Sequence, residues 1–126
     1  MPQLNFKARF SDFVESGVKR MTIRGRQVEL GKPLYMFTGL RTKASRRLMV
    51  RPAEGMEFFT PGVPLCKRCA AIVIAETGIT LAGDDIGERG AAVLAERDGF
   101  ASWAEMRSWF RKTYGSLPFN GWLIEW

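Results

Sequence analysis

The stretch from Leu4 to Arg24, LNFKARFSDFVESGVKRMTIR, decides how the rest of the chain is read. Leu4, Phe6, Ala8 and Phe10 alternate with Asn5, Lys7 and Arg9, the period-two pattern of a strand that buries one face. Ser11 or Asp12 then caps a short helix through Phe13 and Val14, which Gly17 ends. A second strand follows from Lys19, with Met21 and Ile23 on one face and Arg20, Thr22 and Arg24 on the other. The opening is therefore strand, helix, strand.

Outward from that stretch, Gly25 and Gly31-Lys32-Pro33 mark turns and Leu34 to Thr38 reads as an apolar, aromatic third strand. From Gly39 to Pro64 basic residues, Gly55, Pro52, Pro61 and Gly62 break any periodicity, so part of it is expected to be a long loop. Ala70 to Ala75 and Ile79 to Ala82 predict a hairpin around Glu76-Thr77-Gly78. Asp85 and Glu88 match a capping box, with Ile86, Val93 and Leu94 as the helical stripe that ends near Asp98-Gly99. Ser102 and Glu105 form a second box, followed by Trp103, Met106 and Phe110 on one face and by Gly115 and Pro118 as terminators. Gly121 to Trp126 reads as a closing strand. The order β-α-β-β, loop, β-β, α-α, β predicts one α+β domain over residues 1–126.

The chain has 126 residues, 46% of them hydrophobic and 25% charged, which suits a single folded domain and excludes a disordered or coiled-coil protein. No apolar run is long enough to span a bilayer and residues 1–10 lack the blocks of a signal peptide, so a cytoplasmic protein with no membrane partner is expected. There is no histidine, which excludes Ser-His-Asp triads, Cys-His pairs and HExxH zinc sites within the chain. Catalysis, if any, falls to Lys, Thr, Ser, Cys, Tyr or carboxylates. Cys66-Lys67-Arg68-Cys69 has no second CxxC to complete a zinc site and precedes β-type sequence rather than a helix, so it reads as packing thiols. No metal and no cofactor are expected.

Residues 1–75 carry 14 Lys/Arg against 5 Asp/Glu, and residues 76–126 carry 5 against 8, giving +9 and −3. The basic half suits a polyanion, although a solvated basic surface has the same composition. Arg41, Lys43, Arg46, Arg47 and Arg51 fall within eleven residues and follow Tyr35 and Phe37. Such a loop grips phosphates while an aromatic stacks on a base, or else the cations are merely solvated and the aromatics are core. Lys19, Thr22 and Arg24 gather polar chemistry at the second strand. A desolvated lysine can take the proton of a threonine hydroxyl. Lys19 and Thr22 are three positions apart, so a regular strand sets them on opposite faces unless Lys19 sits in the preceding turn.

Ser16-Gly17-Val18-Lys19-Arg20-Met21-Thr22-Ile23-Arg24, within the strand-helix-strand of Leu4 to Arg24, resembles the opening of ASCH-domain proteins, a family similar in fold to PUA domains. Tyr35-Met36-Phe37-Thr38-Gly39-Leu40-Arg41-Thr42-Lys43 and Ala95-Glu96-Arg97-Asp98-Gly99-Phe100, running on through Trp109-Phe110 and Tyr114-Gly115, resemble its short bacterial and phage members. Only Pro52 to Pro64 has no counterpart. The resemblance implies a small PUA-like β-barrel with flanking helices and a cleft suited to RNA or nucleotide ligands.

Some short members are amidohydrolases that remove the acetyl group of N(4)-acetylcytidine with a lysine, a threonine and a glutamate. On this chain the resemblance puts those roles on Lys19, Thr22 and Asp98, an aspartate where those enzymes carry glutamate, with Glu96 as the alternative acid. Lys19 would accept the proton of Thr22, Asp98 would serve the leaving amine or orient Lys19, and Arg24 or backbone N–H groups would stabilise the oxyanion. Arg24, Tyr35, Phe37, Arg41 and Lys43 are the expected ligand-binding residues, with RNA or a nucleoside as partner. A binding module without chemistry, a ribonuclease using Lys19 and a carboxylate, and an adaptor with an exposed apolar patch are the other readings.

Overall fold

The computed structural model describes residues 2–126 as a mixed α+β chain. Its elements run β1 (Gln3–Phe6), α1 (Ala8–Glu15), β2 (Met21–Arg24), β3 (Tyr35–Thr38), β4 (Arg46–Arg47), β5 (Phe58–Thr60), β6 (Val63–Pro64), β7 (Arg68–Ala75), β8 (Gly78–Leu81), β9 (Asp84–Asp85), α2 (Gly87–Arg97), α3 (Trp103–Tyr114) and β10 (Phe119–Glu125). Two compact units share the chain. One holds the residues up to Arg20, Val28–Arg68 and Glu125–Trp126, the other Met21–Gln27 and Cys69–Ile124.

In the first unit β1 lies parallel to β3, from Gln3 opposite Tyr35 to Phe6 opposite Thr38, and β4 adds an antiparallel edge. A parallel pair needs a crossover, and α1 lies within that connection. Leu4, Phe6 and Met36 point to one face and are buried with Phe10 and Val14 of α1, while Trp126 meets Phe6 edge to face at 6.1 Å. The first strand stops at Phe6, short of the expected Phe10. Phe6, Phe10 and Val14 also recur every four residues, and Ala8, which the alternation would bury, is exposed. Ser11 and Asp12 consequently lie inside the helix rather than capping it, and the Ser11 hydroxyl donates to the Ala8 carbonyl at 2.9 Å. The stretch from Gly39 to Pro64 is mostly irregular, as expected, but it contains β4 and the β5–β6 pair and is anchored by buried Leu48 and Val50.

The second unit is built on a five-stranded sheet in the order β2-β10-β7-β8-β9. β7 and β8 form the expected hairpin, with Ala75 opposite Gly78 across a two-residue turn. α3 begins as expected, Ser102 accepting the Glu105 N–H at 3.1 Å, and ends at Gly115 in the left-handed region. The first capping box does not form. Asp85 is in β9 and its carboxylate accepts from the Gly87 N–H at 2.8 Å, while Ile86 occupies the N-cap without a side-chain bond. The buried stripe of α2 is Ala91, Leu94 and Ala95, and Val93 is 53% exposed. Alanines let a helix approach its neighbours closely, and a reading weighted toward large apolar residues passes over them. Among the described residues no helix is long and apolar enough to cross a membrane.

Candidate functional site

Burying a polar or charged side chain costs free energy unless it is paired, so the few buried ones are informative. Among the described residues they are Ser11, Lys19, Thr22 and Asp98. Ser11 is satisfied within its own helix. The other three are the residues to which the resemblance assigns chemistry.

In the second unit β2 buries Met21, Thr22 and Ile23 alike, so the expected one-sided strand is a strand covered on both faces. Thr22 and Arg24, two positions apart, share a face. Arg24 Nε donates to Thr22 Oγ1 at 3.0 Å, which fixes the hydroxyl oxygen against a cation. Burial pushes the Arg24 guanidinium down from its ordinary value, and the nearby Asp98 carboxylate and Tyr114 phenol act in the opposite direction. Asp98 is held by the end of α2, where its backbone N–H donates to the Leu94 carbonyl at 2.9 Å. Glu96 remains exposed on the helix surface, so the buried acid is Asp98. Tyr114 is a functional candidate that the reading of the sequence did not select. It is 48% exposed and its ring packs on Phe119 at 4.4 Å and on Phe110 at 5.8 Å. Its signal was the four-residue step from Phe110 along the apolar face of α3.

Lys19 lies in the first unit and outside any strand, since β2 starts at Met21 rather than at the expected Lys19. The alternation that would set it opposite Thr22 therefore does not apply. Gly17, at φ +84°, reverses the chain after α1, and the Lys19 N–H donates back to the Phe13 carbonyl at 2.9 Å. The side chain is 3% exposed, with Nζ 5.1 Å from the centre of the Phe10 ring.

The expected binding residues fall in the first unit, apart from Arg24. Tyr35 and Phe37 project from one face of β3 and are half-exposed, while Met36 between them points into the core. Arg47 stands opposite Phe37 in the register, and its guanidinium covers the Tyr35 ring at 5.2 Å. Arg41 and Lys43 are exposed on the loop that follows. That loop is tied to β1 by the Leu40 N–H, which donates to Asn5 Oδ1 at 2.8 Å, and closed on itself by the Thr42 hydroxyl, which donates to the Gly39 carbonyl at 2.6 Å. Arg41 sits at φ +67°, where a side chain is strained.

A groove of about 600 Å³, lined by Asp12, Glu15, Ser16, Met49, Val50, Arg51, Pro52 and Gly62, opens in the first unit and takes in Arg51 of the basic run but none of the expected catalytic or ligand-binding residues. Cys66 is buried, its thiol 3.5 Å from the Arg68 carbonyl oxygen, whereas Cys69 is only half-buried, so the expected burial holds for Cys66 alone. Among the described residues no three His, Cys, Asp or Glu side chains gather to hold a metal ion. Compared with protein-family models, with curated proteins and with solved structures, the chain matches none.

Proposed function

We propose that this protein is an ASCH-like amide hydrolase that recognises RNA or a nucleoside and removes the acyl group from an N(4)-acylated cytidine. The observation that carries this reading is the burial of Lys19, Thr22 and Asp98, three of the four polar side chains withdrawn from water among the described residues. Such placement opposes folding, and groups kept in that state are characteristic of reactive sites. The PUA-like β-barrel expected from the same resemblance belongs to this proposal.

The reaction proposed is the one that the resemblance implies. Lys19, three residues upstream of Thr22, accepts the hydroxyl proton in its neutral form, and desolvation of an ammonium favours that form. Thr22 Oγ1 attacks the acyl carbonyl carbon, forming a C–O bond and a tetrahedral oxyanion. Arg24, already donating to Oγ1, favours the alkoxide, and its remaining N–H groups are the candidate donors to the oxyanion. Collapse breaks the C–N bond, and the cytosine amine leaves with the proton that Lys19 took from Thr22. Water then cleaves the acyl-enzyme, releasing the carboxylic acid and restoring Thr22. The test is incubation with N(4)-acetylcytidine beside the Lys19→Met variant, following cytidine by chromatography. Release by the wild type alone is expected; equal release by both proteins sinks the scheme.

The half-exposed Tyr35 and Phe37 favour a second reading, a module that binds single-stranded RNA without chemistry. Two aromatic rings on one strand face, with Arg47 beside them and Arg41 and Lys43 on the next loop, suit stacked bases and their phosphates. In that case affinity for RNA falls steeply with salt and no cytidine is released.

A further inference from the structure

We infer that Tyr114 is the platform on which the pyrimidine ring of the substrate stacks, so that a flat base, rather than the sugar, is what the proposed reaction selects. The substrate class rests on the proposed function; the stacking face itself does not. Tyr114 is the last residue of α3, which Gly115 ends in the left-handed region. Its ring lies 4.4 Å from that of Phe119 and 5.8 Å from that of Phe110, centre to centre. Phe110 and Phe119 are only 5.1 Å apart, too close to stand on opposite faces of Tyr114, so both back the same face. Trp109 adds an edge contact at 6.5 Å. The other face is left to solvent, and Tyr114 is 48% exposed. A ring held rigid by aromatic neighbours and bare in front is the surface that an unstacked base seeks.

The ring belongs to the same unit as Thr22, Arg24 and Asp98. β10 runs beside β2 in the sheet, and a side-chain carbon built on Gly121 would stand 2.5 Å from the Arg24 carbonyl oxygen and 2.6 Å from the Phe119 ring. Only glycine leaves room there, so Phe119 comes against the β2 backbone at Arg24 with Tyr114 packed on it. The Tyr114 phenol is close enough to act on the Arg24 guanidinium, as the buried Asp98 does, and Arg24 Nε in turn holds Thr22 Oγ1 at 3.0 Å. Of the groups gathered around this arginine, Thr22 and Asp98 are buried and Tyr114 is the one that meets water. Stacking accepts any flat ring and reads none of its edge, which leaves the exocyclic amide to Arg24 and Thr22.

The probes are N(4)-acetylcytidine as substrate and cytidine, which carries no acyl group, as a ligand titrated calorimetrically into the wild type, Tyr114→Phe and Tyr114→Leu. Phenylalanine keeps the flat face and loses only the hydroxyl; leucine keeps an apolar body over Phe119 and offers no face. Tyr114→Leu is expected to weaken cytidine binding and to raise KM about 5–150-fold with kcat within about twofold of the wild type, and Tyr114→Phe to restore both. Proton NMR of cytidine supplies a readout that altered packing does not imitate. The ring current of a stacked aromatic moves the H5 and H6 resonances upfield on binding to the wild type and Tyr114→Phe, and by less on binding to Tyr114→Leu. Absence of cytidine binding, equal binding by all three proteins, or a Tyr114→Phe protein as weak as Tyr114→Leu overturns the platform even where N(4)-acetylcytidine is hydrolysed. Ring-dependent cytidine binding without hydrolysis of the acetylated nucleoside keeps the platform and overturns the reaction.

Discussion

The polar residues of β2 and the basic face of β3 differ in what it costs to keep them. Thr22 and Asp98 are 5% and 6% exposed, and the hydroxyl of one is held by an arginine whose charge the other supports. Every one of those groups gave up water to be there, so a change at any of them reaches both stability and chemistry. Around β3 the cations Arg41, Lys43 and Arg47 remain in solvent, and only the rings of Tyr35 and Phe37 are partly withdrawn. Exposed charge is nearly free, so its presence says little until a ligand is added. The buried cluster can therefore be tested on the protein alone, the exposed face only against RNA.

The largest effects are expected at the buried residues. Lys19→Met lowers kcat for N(4)-acetylcytidine by about 10²–10⁴-fold, the usual contribution of a general base, while circular dichroism reports an intact fold. Thr22→Val keeps the shape of the side chain but removes the nucleophile and the acceptor of Arg24 Nε; turnover is lost and Thr22→Ser restores part of it. A Thr22→Val protein as active as the wild type ends the acyl-enzyme route. Asp98→Asn removes the buried negative charge that supports Arg24 and is expected to lower the unfolding free energy by about 2–3 kcal/mol, read from urea denaturation. A loss of activity there at unchanged stability would instead assign Asp98 to the reaction alone.

The sequence carried the hairpin, the capped α3 and most strand positions, because each follows from a local signal such as a turn, a cap or an alternation. It failed where two periodicities coincide. Phe6, Phe10 and Val14 fit a strand continuing from Leu4 and a helix equally, and only packing decides that Ala8 is the first helical residue. It failed again on α2, where alanines rather than Val93 make the contact face. For the site, the residue types at Lys19, Thr22 and Asp98 were readable, but their burial was not. Burial depends on what the rest of the chain lays over a residue, and Thr22 is covered because its strand is closed on both faces.

On the exposed face the expected effect is smaller and appears only with ligand. Replacing both Arg41 and Lys43 by Gln removes two cations without touching the core, so melting is unchanged. If the face binds single-stranded RNA, the slope of log affinity against log salt should fall by about 1.4 in a fluorescence titration, two phosphate contacts at the single-strand value. An unchanged slope would take the loop out of the interface and leave Tyr35 and Phe37 as packing residues.

The smallest effect concerns the contact that holds this face to α1. Glu15 accepts from Arg46 Nη1 at 3.0 Å and from the Met49 N–H at 3.2 Å, on either side of the segment that carries Arg47. Partial burial raises its carboxyl's pKa, but the Met49 N–H and the charges of Arg46 and Arg51 outweigh that and hold it below the ordinary glutamate value. A carboxylate whose folded value lies below its unfolded one stabilises fully above the unfolded value and loses that contribution as pH falls through the folded one. Glu15→Gln should therefore be less stable than the wild type at pH 7, by about 0.5–1 kcal/mol for so accessible a pair, and the two should converge in urea titrations as the pH is lowered through the range in which the folded carboxyl takes up its proton. Equal stability at both pH values would mean that Arg46 and Met49 hold their places without Glu15, and that the basic face is set by β3 and β4 pairing alone.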